Sequence, residues 1–334
     1  MEVKKRIKPK KPIIYIGGPG YSYEHFEPLI SQIGSHFDEI LKTLKTKRPD
    51  GKTTHIELFV EASGDPDAVS AKAKRVCEDP AVYEIRMTTG LSYHVWLASR
   101  ALAGEYDFLP WVKQLKINDK TQRKLGRKEL LADFAYFIGS YYILLHEISH
   151  VLLGHCDYVI DEMGFGTLDE FEEMSQGLSP DEIRIRKAFE ADADRQAGEF
   201  LSGFFESSLG KNGLGVHLTF PSRKHVYEFY VYAVTLVFVL LQQLTRRNGE
   251  IHPKPNERQY IVLSSLTKYL AMNCPDQHDM IMEHVTMKSM EAGSKTGLIG
   301  SFDVLEVAKN ALALGFVDDA VKETGIRRYQ HIVS

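Results

Sequence analysis

Two histidines four residues apart follow a strongly apolar segment of the chain. The sequence His146-Glu147-Ile148-Ser149-His150 comes directly after residues 134–145, a run typical of a buried helix. Positions i and i+4 share a helix face, so both imidazoles can point at one cation. Glu147 lies one step round the helix, where it can reach a water molecule on that cation without being a ligand. The pattern predicts two metal ligands and a general base, an arrangement suited to zinc and an activated water.

A second, acidic helix offers the third protein ligand that a zinc site with one open position needs. Glu190 and Asp194 are four residues apart and share a face, and Ala193 and Ala197 are small enough to allow close packing against the first helix. We expect Glu190 to be the third ligand. We expect Asp194 to accept the distal N–H of a liganding histidine, which fixes the tautomer of that ring. The alternative is an amphipathic helix with a solvated acidic face, which Asp192 would also fit.

Other interpretations of the histidines stay open at this point. The pair could simply end a core helix. His155 is a rival ligand, although five residues beyond His150 it lies off the face that the pair shares. A structural metal in a non-catalytic interaction protein would need a fourth protein ligand, with His155 or Asp194 as the candidates.

Composition places the chain among soluble globular proteins, since 43% of its residues are apolar and 26% are charged. The net charge of -4 argues against a nucleic-acid partner bound through bulk charge. Cys77, Cys156 and Cys274 are far apart and odd in number, so we expect no disulfide framework and a cytoplasmic location. The basic residues between 4 and 11 predict a solvated tail, with contact to acidic lipid or nucleic acid as the alternative. Oligomeric state has no signature in the sequence.

Apolar periodicity predicts the elements that would position these residues. A capping box of Ser179 and Glu182 opens the acidic helix, and Gly154-His155 ends the histidine helix. Between them, residues 157–182 read as a polar, mobile flap. A glycine cluster at residues 17–20 reads as a turn. Strands are expected at 12–16, 54–60 and from Tyr83 to a turn at Gly90, and further helices at 23–47, 68–78, 92–102, 226–244, 257–272, 281–291 and 302–314.

These elements predict an α+β fold, a mainly helical domain with a small sheet. We expect residues 1–80 to form an N-terminal α/β region packed on the core, residues 81–275 the core itself, and residues 276–334 a C-terminal helical tail region. Residues 229–241 carry no charge, but thirteen residues are fewer than the 20 or so that a bilayer requires. A core helix without membrane insertion is favoured, and a membrane-associated regulator is the alternative.

The combined motifs resemble those of the gluzincin zinc metallopeptidases. His146-Glu147-x-x-His150 with Glu190-x-x-Ala193-Asp194 is similar to the HtpX and CAAX-prenyl-protease type, and a His-Pro segment with an arginine six residues after the histidine follows at His252 to Arg258. The likeness covers short motifs between residues 83 and 258. The membrane spans common in those relatives are absent, and in size and soluble character the chain looks more like the phage-exclusion Lit-like peptidases.

The resemblance implies a zinc-dependent endopeptidase that holds one Zn²⁺ per chain and cleaves a protein or peptide substrate. It implies that His252 stabilises the oxyanion and that Arg258 orients this histidine or the local structure. It further implies that the strand from Tyr83 is a sheet edge that binds substrate backbone, with Ile85 and Met87 in the same substrate-binding strand.

Overall fold

The computed structural model describes residues 23–61, 68–104, 109–118, 126–164, 168–169, 178–208, 217–244, 252–273, 275, 278–296 and 319–333. The expected strand at 12–16, the glycine turn at 17–20, the basic arm, Cys274 and the expected helix at 302–314 lie outside these residues. Within them the prediction of a mainly helical α+β fold is confirmed.

Eight helices and eight strands have defined bounds in the described part of the chain. The helices are α1 Tyr23–Thr43, α2 Thr89–Gly104, α3 Arg127–Leu152, α4 His155–Met163, α5 Pro180–Ser208, α6 Arg223–Leu244, α7 Pro255–Asn273 and α8 His278–Thr296. The strands are β1 Thr46–Lys47, β2 Thr54–Glu61, β3 Ala71–Cys77, β4 Ala81–Thr88, β5 Lys116–Ile117, β6 Leu168–Asp169, β7 Leu218–Thr219 and β8 Ile332–Val333. Short 3₁₀ turns occupy Pro110–Gln114 and Ile326–Tyr329.

Helix α3 is the centre of the fold. It is buried on almost every side from Leu130 to Leu152, and it packs against α2, α5, α6 and one face of the sheet. A helix this apolar can only be stable when other elements cover it all round. Gly139 lets two of them approach closely, because a Cβ there would lie 2.9 Å from the Val95 side chain of α2 and 3.2 Å from the Val237 side chain of α6.

The main sheet has four strands in the order β2-β4-β3-β6. Strand β4 pairs in parallel with β2 and antiparallel with β3, and its side chains alternate between buried and half-buried positions. The buried face packs against α3, while α1 covers β2. The sheet therefore supports the helix that carries the histidine pair.

The C-terminal segment is tied to the end of α3. The backbone N–H of His331 donates to the carbonyl oxygen of Leu152 at 2.8 Å, which satisfies a carbonyl at the helix terminus. The His331 ring contacts the buried carboxylate of Asp157 at 3.3 Å, and Arg75 and the Tyr83 hydroxyl donate to the same carboxylate at 2.8 Å. Burial disfavours the charge on Asp157, but these neighbours outweigh burial and lower its pKa. The cluster joins α4, the sheet and the C-terminal segment.

Three local predictions are wrong. Residues 71–77 form strand β3 instead of a helix, because the burial of Ala71 and Ala73 follows a period of two. The expected turn at Gly90 is absent from the described backbone: α2 starts directly after β4, where the Thr88 hydroxyl accepts the backbone N–H of Leu91 at 3.3 Å. The expected flap from residue 157 is helical up to Met163, because α4 buries an apolar face. Residues 165–167 and 170–177 lie outside the described part.

Helix α6 is long and apolar enough to cross a membrane by length and composition. In its most apolar window, 78% of the residues are buried inside the protein. Burial of this extent is typical of a core helix of a folded domain, as predicted for this segment.

A glycine at the α3–α4 junction generates a stability prediction. Gly154 has φ +80°, and a Cβ there would lie 2.5 Å from the Tyr329 backbone. Gly164 has φ +74°, and among the described residues, its chain neighbours aside, no atom lies within 4 Å of such a Cβ. Both Gly→Ala variants should lose about 1–2 kcal/mol of unfolding free energy to the left-handed backbone. The variant Gly154→Ala should lose roughly 1–3 kcal/mol more, because the C-terminal segment must shift.

Urea denaturation of the two variants beside wild type measures this difference. Equal losses would show that the C-terminal segment does not pack against Gly154.

Candidate metal centre

The histidine pair lies at the end of α3 with both rings turned to one point. The Nε2 atoms of His146 and His150 are 3.0 Å apart, and each residue is only 2% exposed. The i, i+4 spacing and the helix geometry produce this convergence. Burial lowers the pKa of His150 to about 4, so its ring is neutral near neutral pH and a nitrogen lone pair is available to a metal.

Helix α5 brings a carboxylate to the same point. Glu190 Oε2 is 3.2 Å from His146 Nε2, and Glu190 Oε1 is 3.5 Å from His150 Nε2. Burial disfavours the charge on Glu190, but His252 and His150 outweigh burial and hold its pKa well below the ordinary value. The group therefore combines neutral imidazole with an ionised carboxylate.

The start of α5 is fixed by the predicted capping box. Glu182 accepts the Ser179 backbone N–H at 2.6 Å, and the Ser179 hydroxyl accepts the Glu182 backbone N–H at 3.3 Å. The box sets the helix register that places Glu190 opposite the histidine pair.

The three donor atoms fit the requirements of a small divalent ion. His146, His150 and Glu190 are the described His, Cys, Asp or Glu residues whose ligand atoms form such a group, all within 4.8 Å of one another. Around a tetrahedral zinc with bonds of about 2.0–2.1 Å, donor atoms lie about 3.3 Å apart. The two Nε2 atoms are 3.0 Å apart, and each has a different oxygen of the Glu190 carboxylate nearby, at 3.2 Å for His146 and 3.5 Å for His150, so these separations are close to that value. The buried group can hold a metal ion without a change of fold.

A second carboxylate of α5 lies behind His146. Asp194 Oδ1 is 2.9 Å from His146 Nδ1, so this oxygen can accept the ring N–H and leave Nε2 free for a metal. Arg258 donates to Asp194 through Nε at 2.7 Å and through Nη2 at 2.9 Å, and the Tyr142 hydroxyl donates at 2.5 Å. Burial disfavours the charge on Asp194, but Arg258 and His146 outweigh burial and lower its pKa to about 2.

Arg258 therefore lies behind a histidine of the metal group and is itself only 3% exposed. Of the two roles that the resemblance implied for it, this position favours support of the local structure. Tyr142 was missed from the sequence, although it lies four residues before His146 on the same helix face.

The other two expected catalytic residues differ in exposure. Glu147 follows His146 on α3 and is 1% exposed. His252 approaches from the segment before α7, where its Nδ1 is 3.3 Å from Glu190 Oε2. The His252 side chain is 14% exposed, compared with 3% for Glu190. His252 is therefore the more solvent-accessible of these two expected catalytic residues.

The expectation that the strand from Tyr83 forms a substrate-binding edge of the sheet is wrong. Tyr83, Ile85 and Met87 belong to β4, which has a hydrogen-bonded neighbour on each side, so no peptide can add to it as a further strand. All three side chains are at most 1% exposed. Burial and the Asp157 carboxylate raise the pKa of Tyr83, whose hydroxyl is committed to that carboxylate. These residues stabilise the core.

The fold and the site define a helical α+β protein with a buried His-His-Glu group that can bind a metal ion. The family model of peptidase U49 matches residues 94–269, which include α3, α5, His252 and Arg258. The chain belongs to the peptidase U49 family, a family of Lit-like metallopeptidases. Searches of curated proteins and of solved structures gave no match. The protein is accordingly a peptidase, and its substrate is a protein or a peptide.

The charge pair behind His146 generates a prediction for the metal-free protein. Arg258→Met leaves the buried Asp194 charge without its cation and should cost about 3–5 kcal/mol of unfolding free energy. Asp194→Asn should also destabilise. The double variant should lose less than the sum of the two, by about 0.5–3 kcal/mol, because removing one partner already breaks the interaction. Urea denaturation in EDTA measures the cycle.

An exposed arginine–carboxylate pair is the matched control. Arg328 and Glu162 form an ion pair whose side chains are 61% and 40% exposed. Arg328→Met with Glu162→Gln should show a coupling of at most about 1 kcal/mol. Equal coupling in the two cycles would contradict a specific support of His146 by Asp194 and Arg258.

Proposed function

We propose that this peptidase is a zinc-dependent endopeptidase that holds one Zn²⁺ per chain through His146, His150 and Glu190. The observation that carries the proposal is the convergence of these three donors, from two separate helices, on one buried point. Two histidines and one carboxylate are a ligand set of catalytic zinc, which keeps one coordination position for water or substrate.

The neighbours of the histidines favour an open position over a structural metal. Asp194 is close to His146 on its Nδ1 side, and His155 is close to His150 on its Nδ1 side. The Nε2 atoms of the two rings face Glu190 instead. The two residues that could close a structural site therefore bond to the far sides of the rings.

The chain's own residues divide the remaining work. When bound, zinc would supply a Lewis acid that lowers the pKa of a water molecule toward about 7 and polarises the scissile carbonyl. Glu147 would accept the proton of the attacking water and deliver it to the leaving amine. His252 would donate to the oxyanion of the tetrahedral intermediate, a role worth about 3–4 kcal/mol in barrier height. Arg258 and Asp194 would hold His146 in its ligand geometry.

The proposed location is the cytoplasm. Cys77 and Cys156 are free thiols in the structure, and Cys156 is buried. Free thiols are stable in a reducing compartment.

The proposal is tested by zinc content and by cleavage of an unstructured protein such as casein. Glu147→Gln should keep the zinc content of wild type and lose about 10²- to 10⁴-fold in cleavage rate, because the proton acceptor is gone while the ligands remain. His146→Ala should lose zinc and activity together. Glu57→Gln, at an exposed position of β2, is the matched control and should retain both.

A Glu147→Gln protein that cleaves at the wild-type rate would overturn the role of Glu147. Wild-type protein that neither retains nor binds zinc would overturn the whole proposal.

A further inference from the structure

The second histidine of the metal group has a histidine, and not a carboxylate, behind it. His150 Nδ1 is 3.0 Å from His155 Nδ1, and both rings are buried. The His155 ring lies parallel to the Phe189 ring, with centroids 4.4 Å apart and planes 8° apart. Gly154 brings the two histidines together, because its left-handed turn directs the first residue of α4 back toward the last turns of α3.

The tautomers of the two rings follow from this contact. Nε2 of His150 faces His146 and Glu190, so a metal there leaves the ring proton on Nδ1. The Nδ1–H group of His150 can then donate only if His155 Nδ1 is an acceptor. Neutral His155 must accordingly carry its own proton on Nε2. With a metal on His150 Nε2, the two rings can therefore form their hydrogen bond only when His150 is protonated on Nδ1 and His155 on Nε2.

An acidic residue of α5 favours the same arrangement. His155 Nε2 is 3.7 Å from Asp192 Oδ2, so the proton of His155 faces a carboxylate. Arg195 Nη1 is in turn 3.8 Å from Asp192 Oδ1, and the Asp192 side chain is 17% exposed. These contacts form a row from the protein surface to the metal group, in the order Arg195, Asp192, His155 and His150.

We propose that His155 is a positioning residue for the metal ligand His150: it accepts the His150 Nδ1–H group, and Asp192 keeps His155 in the tautomer that can do so. The proposal rests on the proposed zinc function and deepens it. An acceptor behind a liganding imidazole fixes its orientation and raises its basicity, and loss of such a partner typically costs about 10- to 100-fold in metal affinity.

Two substitutions separate the acceptor from the packing of the ring. His155→Phe keeps a flat ring against Phe189 but removes the acceptor, which leaves the buried His150 N–H group without its bond. His155→Asn places an amide oxygen where Nδ1 stands but removes the ring. Zinc affinity is measured by competition with a chelator, the absorption of the Co²⁺-loaded protein reports the ligand geometry, and urea denaturation in EDTA reports the stability of the metal-free fold.

A positioning role predicts that the two variants rank differently in zinc affinity and in metal-free stability: His155→Phe should have the lower affinity and His155→Asn the lower stability. His155→Phe should bind zinc about 10- to 100-fold more weakly, with a changed Co²⁺ spectrum, and should lose less metal-free stability than His155→Asn because its ring still packs against Phe189. His155→Asn should lose metal-free stability and yet retain most of the zinc affinity and the wild-type spectrum. His331→Phe, a buried histidine that bonds Thr54 and Asp157, is the control that should lower stability without changing zinc affinity.

The two proposals fail in different ways. Wild-type protein that binds no zinc would overturn both. Stoichiometric zinc in wild type with unchanged affinity in His155→Phe would overturn the positioning role alone. The positioning role alone would also be overturned if zinc affinity and metal-free stability decreased in parallel across His155→Phe, His155→Asn and His331→Phe.

Discussion

The structure depends on the close packing of α3 and α5, which carry the three donors of the metal group from opposite sides. Each of the three donor residues is only 2% exposed, so this packing removes polar and charged groups from water. Such burial is costly unless every group has a partner. The need to compensate for it explains the arrangement of the surrounding polar residues.

Behind each histidine of the group lies a row of polar residues that contains a carboxylate and ends in an arginine. Behind His146 the order is Asp194 and then Arg258, with Asp194 Oδ1 2.9 Å from His146 Nδ1 and with hydrogen bonds from Arg258 to Asp194. Behind His150 the order is His155, Asp192 and Arg195, with longer contacts and partial exposure. The tighter, fully buried arrangement lies at the α5–α7 contact, so α7 belongs to the support of the metal group even though it supplies no ligand.

The parts of the site that rest on short-range periodicity could be predicted from the sequence. Helical spacing alone places His146 beside His150 and Glu190 beside Asp194, and the capping box of Ser179 and Glu182 fixes the start of α5. The parts that rest on long-range pairing could not. Strand β4 was expected at a sheet edge and lies in the interior, because nothing within Tyr83 to Met87 records that β2 and β3 will pair on both sides.

His155 illustrates the same limit at short range. Helix periodicity correctly predicts that His155 lies off the face that His146 and His150 share. It does not predict the turn at Gly154, which brings the His155 ring to the Nδ1 side of His150. Strand β3 was missed because alanine and lysine favour helices, whereas pairing with β4 overrode that preference. Local propensity failed where tertiary contacts decide the backbone.

The most direct test of the account is anomalous diffraction at the zinc edge from crystals of the zinc-loaded protein. The account predicts one strong peak per chain, within about 2.2 Å of the Nε2 atoms of His146 and His150 and of a carboxylate oxygen of Glu190. A stoichiometric zinc peak elsewhere in the protein, or a Glu190 carboxylate turned away from a metal held by the two histidines, would contradict it.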